Sequence, residues 1–195
     1  MRKASAFTLL ELLIVVSLIA IFASLVVPPV VSLVQGRSIE LAGALVADAV
    51  STARQEATAG NRTVELRLYR SPSGSGDWQA LQLWAARGSN ELPVTRLQKL
   101  PEGVAVWLPH SPLVTTLLTN SAFRVVGTTN PALSSGSVDY VSVQFRASGS
   151  LDGSVSTNSN FITLVARNDT NSSSPANYAA VLINPATGKA TIIRP

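Results

Sequence analysis

Apolar residues follow three successive rhythms along this chain. From Leu12 to Gly36 an uncharged run, LLIVVSLIAIFASLVVPPVVSLVQG, extends for 25 residues. As a helix rising about 1.5 Å per residue it would reach about 38 Å, enough to cross a hydrocarbon core of roughly 30 Å even when tilted. Past Arg37 the pattern becomes one-sided. Ile39, Ala42, Leu45, Val46, Ala49, Val50, Ala53 and Ala57 recur at helical spacing, while Arg37, Glu40, Asp48, Gln55 and Glu56 take other faces. Gly60-Asn61 then supplies a helix stop. The spacing predicts one helix of about fifty residues, apolar all round in its first half and amphipathic in its second.

Beyond Asn61 the period falls to two, the mark of strands. Thr63–Arg70 alternates, with Val64, Leu66 and Leu68 on one face, and after Ser71–Asp77 the segment Trp78–Ala86 returns as its antiparallel partner. Val94–Leu100 and Val104–Leu108, split by Pro101-Glu102-Gly103, read as the next pair. Gly103–Val138 has Arg124 as its only charge and reads as a long loop with one small element, or an insertion, with apolar pieces at Leu113–Leu118 and Phe123–Val126. Tyr140–Arg146, Phe161–Arg167 and Tyr178–Ile183 continue the strands, and Asn184–Gly188 turns into Lys189–Arg194. Asn168–Asn177 lacks any large apolar residue and reads as a mobile surface loop. The expected fold is α+β: a long N-terminal helix packed against a meandering antiparallel sheet. Its expected parts are a short basic segment at 1–6, an apolar helix long enough to span a membrane at 7–36, the amphipathic half at 37–60 and a β-rich globular domain at 61–195.

Composition narrows the chemistry. The 195 residues are 46% hydrophobic and 13% charged, with a mean hydropathy of +0.29, no cysteine and a single histidine. Disulfides, thiolate zinc sites and cysteine nucleophiles are thereby excluded, as is any multi-histidine metal centre. Fifteen Lys and Arg against eleven Asp and Glu give a net charge of +4, but no basic run exceeds Arg2-Lys3. Counterion release from phosphates needs clustered cations, so nucleic acid is not an expected partner. His110 stands between prolines in LPHSP without an acidic neighbour, which suits a surface turn rather than a general base. Asp152-Gly153 and Asp169 with Asn168 and Asn171 offer oxygen ligands but lack EF-hand spacing, so no metal is expected. Gly74-Ser75-Gly76-Asp77 has no Walker lysine, and no Gly-x-Ser-x-Gly occurs. Trp78, Trp84 and Trp107 are expected at core or half-exposed sheet positions. No cofactor, small-molecule substrate or enzymatic activity is expected.

The N-terminus carries the sharpest signal. Met1-Arg2-Lys3-Ala4-Ser5-Ala6 precedes Phe7-Thr8-Leu9-Leu10-Glu11 and the apolar run. Arg2 and Lys3 would hold the terminus in the cytoplasm by the positive-inside rule. Glu11 at the mouth of the run costs about 2.5–3.5 kcal/mol to insert, and Pro28-Pro29 interrupts the run midway. A secretory signal peptide has a shorter apolar run and a small-x-small site; a plain anchor accounts for neither Glu11 nor the stripe.

This constellation closely resembles the type IV pilin and pseudopilin N-terminus. The resemblance implies a cut by prepilin peptidase between Ala6 and Phe7, methylation of the new Phe7 amine, Glu11 as fifth residue of the mature chain, and Pro28 at the helix-kinking position. The family usually has Gly before the cut, where this chain has Ala6. An amine on Phe7 and the Glu11 carboxylate can neutralise one another, within a helix or between neighbours, which makes Glu11 a register for subunit docking. Removing Arg2 and Lys3 leaves 13 basic against 11 acidic side chains, a nearly neutral body suited to side-by-side packing. Ser51–Arg70, Phe145–Gly149 and Val181–Arg194 resemble minor pseudopilins of the GspH/FimT kind. LRLYR, LQLW, the ending PANYAAVLINPATGKATIIRP and the missing cysteines look closer still to the Verru_Chthon cassette protein D group, pilin-like proteins of Verrucomicrobia. The implied partners are prepilin peptidase, other pilin or pseudopilin subunits and the bacterial inner membrane. The implied topology is single-pass, with the N-terminus cytoplasmic and the C-terminal domain periplasmic. The implied product is a minor subunit of a cell-surface filament or secretion pseudopilus. The other class of reading is a membrane-anchored extracytoplasmic binding domain that never assembles.

Overall fold

The computed structural model describes residues 8–70, 78–87, 90–130, 133, 136–152 and 160–195, with the side chains of residues 25–32, 79, 86, 87 and 90 left outside that description. It divides into two compact units, one through Arg37 and one from Ser38 to Pro195. The helix α1, Leu9–Ala59, is 51 residues long. In the first unit its described surface is apolar and exposed on every side, from Leu9 at 86% exposure through Phe22 at 64%.

In the second unit the stripe predicted from spacing is the buried face of α1. Ile39, Ala42, Val46, Ala49, Val50, Ala53 and Ala57 are buried and Leu45 packs beside them, whereas Arg37, Glu40, Asp48 and Gln55 are exposed. Small residues at these positions let strands approach the helix closely. At Gly43 an added Cβ would lie 3.2 Å from the methyl of Ala179. The helix ends in a Schellman motif: the Arg62 N–H donates to the Ala57 carbonyl at 3.1 Å and the Asn61 N–H to that of Thr58 at 3.4 Å. The left-handed residue is Asn61, at φ 45°, rather than Gly60.

The strands form two antiparallel sheets, which corrects the single meander expected above. The six-stranded sheet contains β1 (Val64–Arg70), β2 (Trp78–Arg87), β3 (Asn90–Pro93), β4 (Gln98–Lys99), β6 (Arg124–Thr129) and β7 (Ser137–Phe145), in the order β3-β2-β1-β7-β6 with β4 also on β2. The four-stranded sheet runs β10-β9-β8-β5, from β5 (Val104–Val106), β8 (Phe161–Ala166), β9 (Tyr178–Ile183) and β10 (Ala190–Ile193). Val94–Leu100 and Val104–Leu108 do not pair with each other. β4 pairs with β2, whereas β5 crosses to β8, Val104 opposite Ala166. Nor is Gly103–Val138 merely a loop. It holds β5, a 3₁₀ turn at Leu108–His110, the helix α2 (Pro112–Thr119) and β6. Pro112 occupies the first turn of α2, where its missing N–H costs nothing, and Leu113, Val114 and Leu117 point into the core.

One core joins these layers. It draws on the α1 stripe, on Leu66, Leu83 and Val143 of the larger sheet, on Leu164 and Val181 of the smaller and on Leu113 of α2. The sheets are tied where two turns meet. The Leu151 N–H donates to the Pro185 carbonyl at 2.8 Å. Gly149 and Gly188 both adopt positive φ, and a Cβ on Gly188 would fall 2.1 Å from the Gly149 carbonyl oxygen and 3.3 Å from Arg54 of α1. The FRASG and NPATG segments thus dock as a pair on the helix.

Candidate functional site

Ala6, Phe7 and the leader lie outside the described residues, as do the side chain of Pro28 and the Ser71–Asp77 loop. What is described begins at Thr8, whose Oγ1 accepts the Glu11 N–H at 3.2 Å. Thr8-Leu9-Leu10-Glu11 is a T-x-x-E sequence with the first half of a capping box in place. The spacing was present in the sequence and signals the helix start independently of any charge pairing. Glu11 is exposed, and its carboxylate has no ion-pair partner among the described residues.

Two hydroxyls of this segment bond within the helix. The hydroxyl of Ser17 donates to the Leu13 carbonyl at 2.7 Å and that of Ser24 to the Ile21 carbonyl at 2.7 Å. A helix that is apolar all round, with hydroxyls folded back on its own backbone, suits lipid or neighbouring helices rather than water. Among the described residues no helix is long and apolar enough to cross a membrane. The expected span at 7–36 includes residues 25–32, whose side chains lie outside the description.

The body presents two contrasting sheet faces. On the outer face of the larger sheet Arg67 of β1 is 5% exposed, a position that alternation alone assigns to solvent. Its Nε donates to Glu65 at 2.9 Å and its Nη2 bonds to Glu91 of β3. The guanidinium lies 4.5 Å from the ring centres of both Trp84 and Tyr140. Burial works against its charge, yet the two carboxylates outweigh that and raise its pKa. Tyr69 packs on Tyr140 with centroids 5.5 Å apart, and burial raises the pKa of both phenols. Gln82 accepts from Trp84 Nε1 and Asn130 Nδ2, and donates to the Thr95 carbonyl. This face is closed.

The outer face of the smaller sheet is open. A cavity of about 400 Å³ lies over β8 and β9, with Trp107, His110, Phe161 and Tyr178 among its lining. His110 is exposed at the end of the 3₁₀ turn and stacks on buried Trp107, centroids 3.9 Å apart. Trp78 is buried in the core and Trp84 half-buried against Arg67, so all three tryptophans fall where expected except that Trp107 follows β5 rather than lying in it. Asp152 accepts from Arg146 at 3.3 Å, and among the described residues no cluster of metal-ligating side chains occurs.

Comparison with known proteins bears chiefly on the N-terminus. Residues 1–27 match the family model for the prokaryotic N-terminal methylation motif. In fold the chain is similar to the type IV minor pilin FimU of Pseudomonas aeruginosa PAO1. One crystal form aligns at 12% identity over 80% of this chain and 89% of that chain, with a TM-score of 0.42. Another aligns at 14% identity over 80% and 90%, with a TM-score of 0.39. No curated protein sequence matches the chain significantly.

Proposed function

We propose that this chain is a structural subunit, not an enzyme, that prepilin peptidase cuts between Ala6 and Phe7 and methylates on Phe7. Residues 7–36 anchor it in the inner membrane with the body on the periplasmic side. From there it enters an extracytoplasmic filament or secretion pseudopilus as a minor component, beside other pilin or pseudopilin subunits. The observation that carries this reading is the methylation motif over residues 1–27, continued by a helix whose described first turns are apolar on every face. Glu11 is the registering group: it is the one carboxylate in that surface, and the described residues leave it without a counter-charge. In a medium where an unpaired charge is costly, the methylated Phe7 amine is the partner that satisfies it. Pro28 provides the bend that lets the stem pack among its neighbours.

Two measurements test the proposal. Intact-mass analysis of the native product should give a chain beginning at methylated Phe7; a product that keeps Met1 would overturn the processing step. Glu11→Val should leave membrane insertion intact and reduce crosslinking to partner pilins roughly tenfold, the effect of losing about 1.4 kcal/mol. Unchanged crosslinking would remove Glu11 from the assembly mechanism.

A further inference from the structure

The open face of the smaller sheet has the chemistry of a binding site. Its cavity, about 400 Å³, falls within the roughly 300–1,000 Å³ typical of small-molecule sites. The floor is apolar and aromatic, from Phe161 of β8, Tyr178 of β9 and the stacked pair Trp107–His110. Ser173 and Ser174 are also among its lining residues. Among the described residues no Asp, Glu, Lys or Arg lines the cavity.

The aromatic pair is fixed in place before any ligand arrives. The Trp107 N–H donates to the Thr163 carbonyl at 2.8 Å, and the His110 N–H donates back to the Trp107 carbonyl at 3.1 Å. Behind them Ser111 is fully buried. Its hydroxyl donates to the Trp107 carbonyl at 2.7 Å and accepts the Thr163 N–H at 2.9 Å, so the turn that carries both rings is pinned to β8. The Thr163 hydroxyl donates to the His110 carbonyl. Rings held this way lose little entropy on binding, the condition under which a shallow site becomes useful.

From this lining we infer that the cavity binds an uncharged sugar unit of a glycan. A charged ligand would bring its charge into a cavity where no Asp, Glu, Lys or Arg among the described residues can pair it. A purely aliphatic ligand would make no use of the polar residues Ser173, Ser174 and His110 in the lining. A pyranose satisfies both constraints: its C–H face lies against ring faces, whose π-cloud is negative, and its hydroxyls meet the polar rim. The subunit thus carries a glycan contact on the sheet that does not hold the sealed Arg67 cluster.

The test uses the full chain in a zwitterionic, sugar-free detergent, titrated calorimetrically with chitotriose, maltotriose and cellotriose. At least one should bind with a dissociation constant between micromolar and millimolar. Preference for chitotriose would point to an N-acetylated wall glycan, and preference for either glucan to a surface polysaccharide. His110→Ala and Tyr178→Ala should each weaken binding about tenfold or more, while the thermal midpoint of His110→Ala stays within about 2 °C of the parent because His110 is exposed. The inference is overturned if all three sugars fail at about 10 mM, if binding ignores both substitutions, or if an apolar peptide displaces the sugar. None of these results bears on Glu11 or on processing, which are read separately.

Discussion

The two sheets of the body finish their outer faces in opposite ways. The larger sheet closes over an arginine: β3 lays Glu91 across it, Trp84 and Tyr140 flank it, and Asn130 and Thr95 bond to Gln82 beside it. The smaller sheet leaves Phe161, Tyr178 and Leu182 around a cavity, with Leu182 39% exposed. β1 alternates polar and apolar residues, whereas β8 and β9 are almost wholly apolar. What differs is the supply of polar partners. Once Arg67 is buried, it must be paired and stacked, and each partner recruits a further strand or loop. An aromatic floor makes no such demand and can stay open. The closed face therefore serves stability, and the open face is free to meet something outside the chain.

That contrast depends on the sheets keeping their places, and the junction at Gly188 is where it breaks most readily. Gly188→Ala would force a Cβ to within 2.1 Å of the Gly149 carbonyl oxygen at a φ of +64°. Overpacking and left-handed strain together should cost about 4 kcal/mol. A fall in the thermal midpoint of about 10 °C is expected. Because the obstacle is backbone rather than a flexible side chain, a midpoint that held would mean the two turns separate at little cost.

Next in size is the removal of the arginine itself. Arg67→Ala deletes two ion pairs and two ring contacts at once. It leaves half-buried Glu65 with Gln144 as its side-chain hydrogen-bond donor at 2.9 Å. Breaking a buried pair from one side costs about 3 kcal/mol. The closed face should then behave like the open one and take up apolar dye beyond the amount the parent binds. Loss of stability without that added uptake would show that β3 stays in place without its anchor.

The sequence showed some of this and hid the rest for identifiable reasons. The α1 stripe was legible because eight apolar positions repeat at helical spacing over five turns, more than chance allows. β1, β2, β7, β8 and β9 were legible because each is an apolar-rich run of six residues or more. The division into two sheets was not, since β5 is three residues long and its partner β8 lies some sixty residues onward, so adjacency gave the wrong neighbour. α2 escaped because eight residues cover barely two turns, although Pro112 and the apolar trio Leu113, Val114 and Leu117 were a usable signal. The Arg67 cluster looked like an ordinary wet face. Yet alternation sets Glu65, Arg67 and Tyr69 on one side of β1, and the register brings Glu65 opposite Trp84 and Tyr69 opposite Tyr140. Aromatic residues diagonal to an arginine on the nominally polar side were the clue. At the N-terminus Phe7-Thr8-Leu9-Leu10-Glu11 was read for its carboxylate, while the cap that Thr8 provides went unused.

The smallest expected effect is confined to alkaline solution, and it separates the faces by chemistry rather than by mutation. Burial holds the phenols of Tyr69 and Tyr140 protonated beyond their ordinary value, about 10. As pH rises the unfolded chain therefore gives up these two protons before the folded one does. Below about pH 10 both states keep them and the contribution to stability is fully present; above it the contribution falls until the folded values are passed. Denaturant midpoints should be flat from pH 8 to about 10 and then decline, and Tyr140→Phe should make the decline shallower by removing one of the two protons. A variant that loses stability along the same alkaline slope as the parent would mean that Tyr140 titrates freely in the folded chain. In that case water reaches the ring stacked on Arg67, and the larger sheet's face is not closed at all.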